Sequence, residues 1–507
     1  MRIFVTVLVL FASFAGAQEP GGYYTSAQAE RGQALYRDAC AACHGLDLDG
    51  GSASPLAGPR FARRWNPGNR ATDFSGWGSS SVDDLFFIMR TTMPQGAVGS
   101  VSAGQHIDII AYILQQNGYS PGERALTADE ETLGEIPIEW RGSTEVSESV
   151  APDYIRGERG LRPSDDGYLP SRMLKDAHAN PRDWLYHTHD YTGRRYTELE
   201  AIDSANARRL QVACVYQVGE MSNFQTGPIV YDGTMYLTSV RATVAIDAAT
   251  CRPRWRYEWA PRATEVWRNN RGVAVANGRV VRGTSDGYLL ALDASDGRLL
   301  WARRAADTTI GETFTMAPMI YDDLILIGPA GSENAISGWV GAFRLEDGES
   351  VWRFMTVPGA RVDGADSWEN PEDIVLGGGA VWTPFTLDPA REELYVAVTN
   401  PSPDLPAELR PGDNLYTNSL IALDVRTGEL RWYQQLVPAD FHDWDLTQVS
   451  PLYQSTIEGS ERNLVATVGK DGLLRVLDRE THEQWFETEI TTRENVDAPL
   501  TSDGVRA

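Results

Sequence analysis

One short pattern recurs after residue 200, and it constrains the fold more than any other feature of the chain. A small residue, a hydrophobic residue and an acid are followed by a turn, with tryptophan eight positions after the acid. The copies are Ala245-Ile246-Asp247 with Trp255, Ala291-Leu292-Asp293 with Trp301, and Ala422-Leu423-Asp424 with Trp432. Ala342-Phe343-Arg344 with Trp352 keeps the spacing, Val476-Leu477-Asp478 with Trp485 is one residue short, and Ala201-Ile202-Asp203 is a degenerate first copy. Intervals of 44, 46, 51, 80 and 54 residues between copies suit one four-stranded blade per repeat, with an insertion in the long one. The recurrent Trp reads as filler between blades, a large apolar ring with one N–H to satisfy. Residues 181–507 are therefore expected to form an all-β propeller, since a sandwich or solenoid would not group strands in fours.

The N-terminal part carries a different signature. Cys40-Ala41-Ala42-Cys43-His44 is the attachment pattern of a c-type haem, in which each thiol adds to a porphyrin vinyl group and His44 ligates the iron. The plainer alternatives are a disulfide hairpin or half of a zinc site. Zinc needs two more ligands, and the nearest other His is His106, with no further Cys before Cys214. A second axial ligand is expected at Met93, in a loop marked by Pro94 and Gly96. Met89 is the rival, but its phase in Leu85-Phe86-Phe87-Ile88-Met89 suits a packed helix face. Ile107, Ile110, Ala111 and Leu114 predict an amphipathic helix over 103–116. Residues 26–118 resemble an all-α class I cytochrome c.

Arg2 precedes an apolar run, Ile3 to Phe14, that ends in Ala15-Gly16-Ala17. That is the form of a signal peptide over 1–17, too short to span a bilayer. Haem attachment also requires export, so the periplasm is the expected location. A net charge of −25 argues against nucleic acid and anionic membranes and fits a basic soluble redox partner. Eight acidic residues between Glu123 and Glu148, set among Gly, Pro and Ser, predict an extended acidic linker over 119–180.

From about Pro181 onward the repeat, preceded by Asp183-Trp184-Leu185 and Arg195-Tyr196, resembles the eight-bladed dehydrogenases that use pyrroloquinoline quinone. The resemblance supplies a site. Gly331-Ser332-Glu333 matches the segment whose glutamate binds calcium, and Thr399-Asn400-Pro401 the one whose asparagine is a further calcium ligand. Oxygen donors of this kind suit a hard cation. Trp382, in Gly377-Gly378-Gly379-Ala380-Val381-Trp382, matches the floor under the quinone. Gln225 stands where a glutamate usually touches the cofactor, and Arg271 and Thr315 fall on positions at the quinone's polar edge. His442-Asp443-Trp444-Asp445 matches the segment whose final aspartate is the general base, also counted with the calcium ligands. Lys470, in Gly469-Lys470-Asp471-Gly472, falls where a cation bonds the quinone oxygens. Thr447 stands where lanthanide-dependent relatives carry an extra aspartate, so calcium is expected.

The pattern breaks in two places. Relatives hold a pair of adjacent cysteines before an Asn-Arg-Gly; here Glu265-Val266-Trp267-Arg268-Asn269 precedes Asn270-Arg271-Gly272, leaving Val266 or Trp267 to cap the ring. Pairing of Cys214 with Cys251 stays open. Six repeats, not eight, are visible, so a propeller truncated after about six blades is expected. The resemblance implies a periplasmic quinohaemoprotein alcohol dehydrogenase, in which a quinone with calcium oxidises an alcohol and haem c passes the electrons to an external acceptor such as a soluble cytochrome. Haem-first order is closer to poly(vinyl alcohol) dehydrogenases. The alternative is a non-catalytic haem-bearing propeller that carries electrons or docks a partner. Loops near Phe385, Asp404-Leu405 and Phe441 are expected to shape the substrate site.

Overall fold

The computed structural model describes residues 22–494 and 496, apart from 47, 49–54, 59–60, 63–80, 95–96, 98, 140, 142–151, 159, 165–167, 221–222, 360–361, 370–375, 406 and 447–448. The expected signal peptide over 1–17, Thr447 and residues 497–507 lie outside the described residues.

The helical part comprises α1 (Ser26–Ala39), α2 (Ala41–His44), α3 (Val82–Thr92), α4 (Ala103–Gln116) and α5 (Glu130–Gly134). Capping boxes start α1 at Thr25/Gln28 and α4 at Ser102/Gln105, each satisfying two terminal N–H groups reciprocally. The two helices meet closely at Gly32, where a Cβ would lie 1.8 Å from the Asp108 carbonyl oxygen. Only glycine permits that approach. Tyr36 packs on Tyr112 with centroids 5.5 Å apart, and Arg31 donates two 2.8 Å bonds to Asp108.

Leu126, Leu133, Ile136 and Ile138 are buried in this helical core. Leu169 and Leu174 are buried in the main propeller core. Much of the stretch expected as an extended linker is therefore packed. Acidic residues mark its solvent side, and the apolar residues between them are what fold it against its neighbours.

Strand β1 (Tyr154–Arg156) adds to the outer edge of the second sheet. The sheets are β2–β5 (Ile229–Tyr231, Thr234–Thr238, Ala242–Asp247, Pro253–Glu258) and β6–β9 (Ala274–Ala276, Arg279–Gly283, Tyr288–Asp293, Leu299–Arg304). Next comes β10–β13 (Met319–Tyr321, Leu324–Ile327, Trp339–Arg344, Ser350–Met355). A two-stranded pair, β14 (Gly377–Gly378) with β17 (Pro401–Ser402), flanks the sheet β15, β16, β18 and β19 (Thr386–Asp388, Glu393–Ala397, Ser419–Asp424, Leu430–Gln435). The last sheet is β20–β23 (Leu452–Ile457, Ser460–Val468, Leu473–Asp478, Gln484–Glu489).

Each four-strand unit is an antiparallel meander, and the repeat motif occupies its third and fourth strands. The small residue sits opposite the tryptophan: Ala245↔Trp255, Ala291↔Trp301, Ala342↔Trp352 and Ala422↔Trp432. A bulge follows at the same place every time, immediately after the small residue. The next unit's turn receives the ring. A Cβ on Gly297, Gly348 or Gly428 would come within 2.4–2.6 Å of Trp255, Trp301 or Trp352, so the motif glycine serves both a positive φ and a close approach. Trp432 instead stacks on His482 of the following turn, 4.5 Å between centroids.

Two of the six expected copies differ. In the last, Val476 faces Phe486 and Trp485 falls in the bulge; the turn has the same length, and the tryptophan has changed register. The degenerate first copy forms no strand within 201–220. Gln211 stands where its tryptophan would be, and Ile202, Leu210 and Val212 are 60–81% exposed. Five four-strand units are thus formed among the described residues. Cys214 and Cys251 are disulfide-bonded, Cα–Cα 5.8 Å, tying the strandless segment to the turn between β4 and β5.

Candidate active site

In an antiparallel meander, the entry to the first strand and the connection between the second and third lie at the same end. Gln225, Arg271, Thr315, Trp382 and Asp445 stand three to seven residues before β2, β6, β10, β15 and β20. Glu333, Asn400 and Lys470 lie between the second and third strands of their own sheets. All eight therefore fall at one end, while the tryptophan turns occupy the other.

Hydrogen bonds and one ring contact link these loops in sequence. Arg271 N–H donates to the Thr315 carbonyl and Gly227 N–H to the Arg271 carbonyl, both at 2.9 Å. Asn269 Nδ2 donates to Gln225 Oε1 at 3.1 Å. The Arg271 guanidinium lies over the Trp382 ring, 4.7 Å from its centroid. Two residues back, Ala380 N–H donates to Ser332 Oγ, which pairs with Thr399 Oγ1. Asn400 N–H donates to Asp445 Oδ1 at 2.9 Å. Lys470 Nζ closes the series at 2.8 Å from Asp445 Oδ2 and 2.9 Å from Asp443 Oδ2. Glu333 sits in a single 3-10 turn entered through Gly331 at φ 132°, where a Cβ would meet the Gly311 carbonyl at 2.5 Å.

Two buried donors in this chain of contacts have no partner: Arg271 Nη1 and Thr315 Oγ1. Burial lowers the Arg271 guanidinium to about 10, so it remains charged at neutral pH, and among the described residues no carboxylate offsets it. A buried cation of this kind calls for an anionic ligand. Beside it, burial and then the charges of Arg195 and Arg271 lower His187 to about 4, and His187 Nδ1 also lacks a partner.

The other end is anionic. Burial and then the Asp445 charge push the Asp443 carboxyl up, with Lys470 opposing and Glu333 adding to the rise. For Lys470, burial alone lowers the ammonium, but Asp445 and Asp443 outweigh it and hold it well above its usual value. Both Asn400 amide hydrogens are used, on the Pro401 carbonyl and Asp404 Oδ1, so a cation would meet its carboxamide oxygen. Among the described residues no three His, Cys, Asp or Glu side chains form a metal site unaided. Two carboxylates plus an amide oxygen remain the donor set, one that suits a hard ion completed by ligand oxygens.

Sequence reasoning missed Asp443 and His187. The two acids of His442-Asp443-Trp444-Asp445 were legible as a pair, but only the second was given a role. At the place of the missing cysteine pair, Val266 is buried and Trp267 half-buried.

In the helical part, Cys40 is half-buried and immediately precedes α2. His44 ends α2 and is buried, and Tyr36 Oη donates to the adjoining Gly45 carbonyl at 2.7 Å. The Cys43 side chain lies outside the described residues. Met93 is the half-buried C-cap of α3, whereas Met89 is 5% exposed within the core.

Residues 184–499 match the family described as glucose/ethanol/alcohol dehydrogenase, beta-propeller domain (PQQ). The chain belongs to this family. Residues 29–117 match the cytochrome c family. Among relatives of the dehydrogenase family, a quinohemoprotein alcohol dehydrogenase (ADH IIB) of Pseudomonas putida is 33% identical over 352 residues, 64% of this chain and 51% of that protein. A lanthanide-dependent methanol dehydrogenase of Methylacidiphilum fumariolicum (strain SolV) is 32% identical over 329 residues, 59% of this chain and 54% of that protein. The solved quinohemoprotein alcohol dehydrogenase of Comamonas testosteroni superimposes with TM-score 0.60 at 31% identity, covering 64% of this chain and 51% of that one. The chain spans about half the length of the curated relatives it matches.

Proposed function

We propose that this chain oxidises an alcohol to an aldehyde or ketone in the periplasm, using pyrroloquinoline quinone and calcium, and passes the electrons through a covalent haem c to an external acceptor. The observation that carries this reading is the half-buried Arg271 guanidinium over Trp382, whose buried Nη1 has no hydrogen-bond partner, joined by continuous contacts to the oxygen-rich end at Asn400, Asp445 and Lys470. Those residues fit the group: an unpaired guanidinium and hydroxyl for a polar anionic edge, an indole face for a flat ring, oxygen donors for a hard ion.

When bound, the quinone is the two-electron acceptor, calcium the Lewis acid beside it, and the haem the one-electron exit. Arg271 and Thr315 hold the anionic edge, and Trp382 supplies a flat apolar floor that excludes water from one side. Asp445 takes the hydroxyl proton of the alcohol. Its two oxygens are already aimed, Oδ1 by the Asn400 N–H and Oδ2 by Lys470, so little reorganisation precedes proton transfer. Lys470 places positive charge where negative charge grows. Glu333 and the Asn400 carboxamide oxygen hold calcium. Cys40 and Cys43 would anchor the haem, and His44 and Met93 would ligate its iron.

The test is direct. The purified haem protein is incubated with quinone and calcium, primary and secondary alcohols are added, and the reduced-haem absorbance is followed. Reduction by at least one alcohol, dependent on added quinone, is expected. Haem that dithionite reduces but no alcohol does would overturn the enzymatic reading in favour of an electron carrier.

A further inference from the structure

Resting on that reading, we propose that Asp443 is a positioning residue for Lys470, fixing the direction in which the lysine presents its remaining N–H to the bound cofactor. An ammonium has three donors on a four-carbon stem and little directional preference of its own. Here two are committed, to Asp445 Oδ2 at 2.8 Å and to Asp443 Oδ2 at 2.9 Å, and two fixed donors determine the third. The root of the side chain is tied as well, because Lys470 N–H donates to the Asp445 carbonyl at 2.9 Å.

The side chains of Lys470 and Asp443 are 41% and 36% exposed, and what sets the pair apart from an ordinary surface ion pair is the turn that presents Asp443. The Asp443 backbone takes φ 61°, the left-handed conformation that aspartate and asparagine adopt more readily than other residues with a side chain. The buried carboxylate of Asp440 holds that turn from both sides, accepting from His442 N–H at 2.9 Å and Trp444 N–H at 2.8 Å. Asn418 Nδ2 donates to the same Asp440, and the fully buried Arg410 donates to its carbonyl. The rings of His442 and Trp444 stack on each other 4.0 Å apart at 9°, which ties together the two residues that flank Asp443 in the chain. Without the second carboxylate, the ammonium would be free to settle on Asp445 alone, where it would neutralise the base and leave the cofactor.

The variant of choice is Asp443→Gly, which deletes the carboxylate and keeps the left-handed backbone without strain; Asp443→Asn keeps the shape and loses the charge. Quinone binding is measured by quenching of intrinsic tryptophan fluorescence in calcium-containing buffer, together with kcat and KM for an alcohol. Asp443→Gly should weaken quinone binding about tenfold, the loss of one charge-assisted bond, and Asp443→Asn by less. Turnover should fall while the alcohol KM holds. In a Lys470→Met background, Asp443→Gly should change neither quantity, a coupling that a merely structural role would not produce. Wild-type affinity in Asp443→Gly, or an equal loss with Lys470 absent, overturns the proposal alone. Failure of the unaltered protein to bind quinone would instead overturn the function on which it rests.

Discussion

The two ends of the candidate site solve the same problem in opposite ways. At Asp443, Asp445 and Lys470 the charged groups face one another at 2.8–2.9 Å, so each already has a partner before any ligand binds. At Arg271, Thr315 and Trp382 the protein buries a cation and a hydroxyl and gives neither its full complement of partners. The first arrangement orients groups that act; the second stores binding energy that only an anionic ligand can release. Removing a group should therefore have opposite consequences for stability and function at the two ends.

The largest effect is expected at the self-satisfied end. Asp445→Asn keeps the shape and removes the proposed proton acceptor, and loss of a general base lowers rates by roughly 10²–10⁴-fold. Alcohol-driven haem reduction should vanish in a stopped-flow trace, while the haem spectrum and dithionite reduction stay unchanged. Turnover within a factor of two of the parent would remove Asp445 as the base.

At the opposite end, His187 tests whether burial of a titratable ring is a standing cost. Its folded value of about 4 lies below the unfolded 6.5. The unfolded chain therefore binds the proton first as pH falls, and stability present above pH 6.5 is lost toward pH 4, on the order of 3 kcal/mol in full. His187→Gln should lose less between pH 7 and 4.5 than the parent does in urea titrations followed by tryptophan fluorescence. Parallel losses in the two proteins would show that His187 is solvated.

Arg271→Met extends the comparison. Removing an uncompensated buried charge is neutral or stabilising when the replacement fills its volume, so the apo protein should melt no lower than the parent. Quinone affinity should drop by about 1.5–3 kcal/mol, the worth of a hydrogen bond to a charged group. A lowered melting temperature with unchanged quinone affinity would make Arg271 structural.

How much of this was legible before folding follows from what each signal depends on. The Ala-x-Asp…Trp repeat announced the blades because a tryptophan, a small cross-strand neighbour and a glycine turn must keep fixed local spacings. The same spacing misled at Trp485, since a one-residue register change leaves the residues almost identical and only the strand pairing shows that Phe486 took the position. The cytochrome c domain was legible from the covalent chemistry of the Cys40–His44 pattern. Asp443 was not given a role because its meaning depends on Lys470, 27 residues on, and no local pattern announces a shared ammonium. The packed stretch over 119–180 was hidden by its acids, which describe its surface and not the leucines and isoleucines beneath.

The smallest effect is the most discriminating. Thr315→Val exchanges a buried hydroxyl without a partner for a methyl of the same shape. If the hydroxyl serves only packing, the exchange should raise apo stability by about 1 kcal/mol, because a desolvated polar atom is gone, and leave quinone affinity alone. If it waits for the anionic edge, the same rise in stability must come with quinone binding weaker by about 0.5–1.5 kcal/mol. Chemical denaturation of the apo protein and a fluorescence titration with quinone separate the two. The gain in stability ties the effect to the missing partner, and the loss of affinity identifies that partner as the ligand; a fall in both would place Thr315 with the satisfied groups of the opposite end.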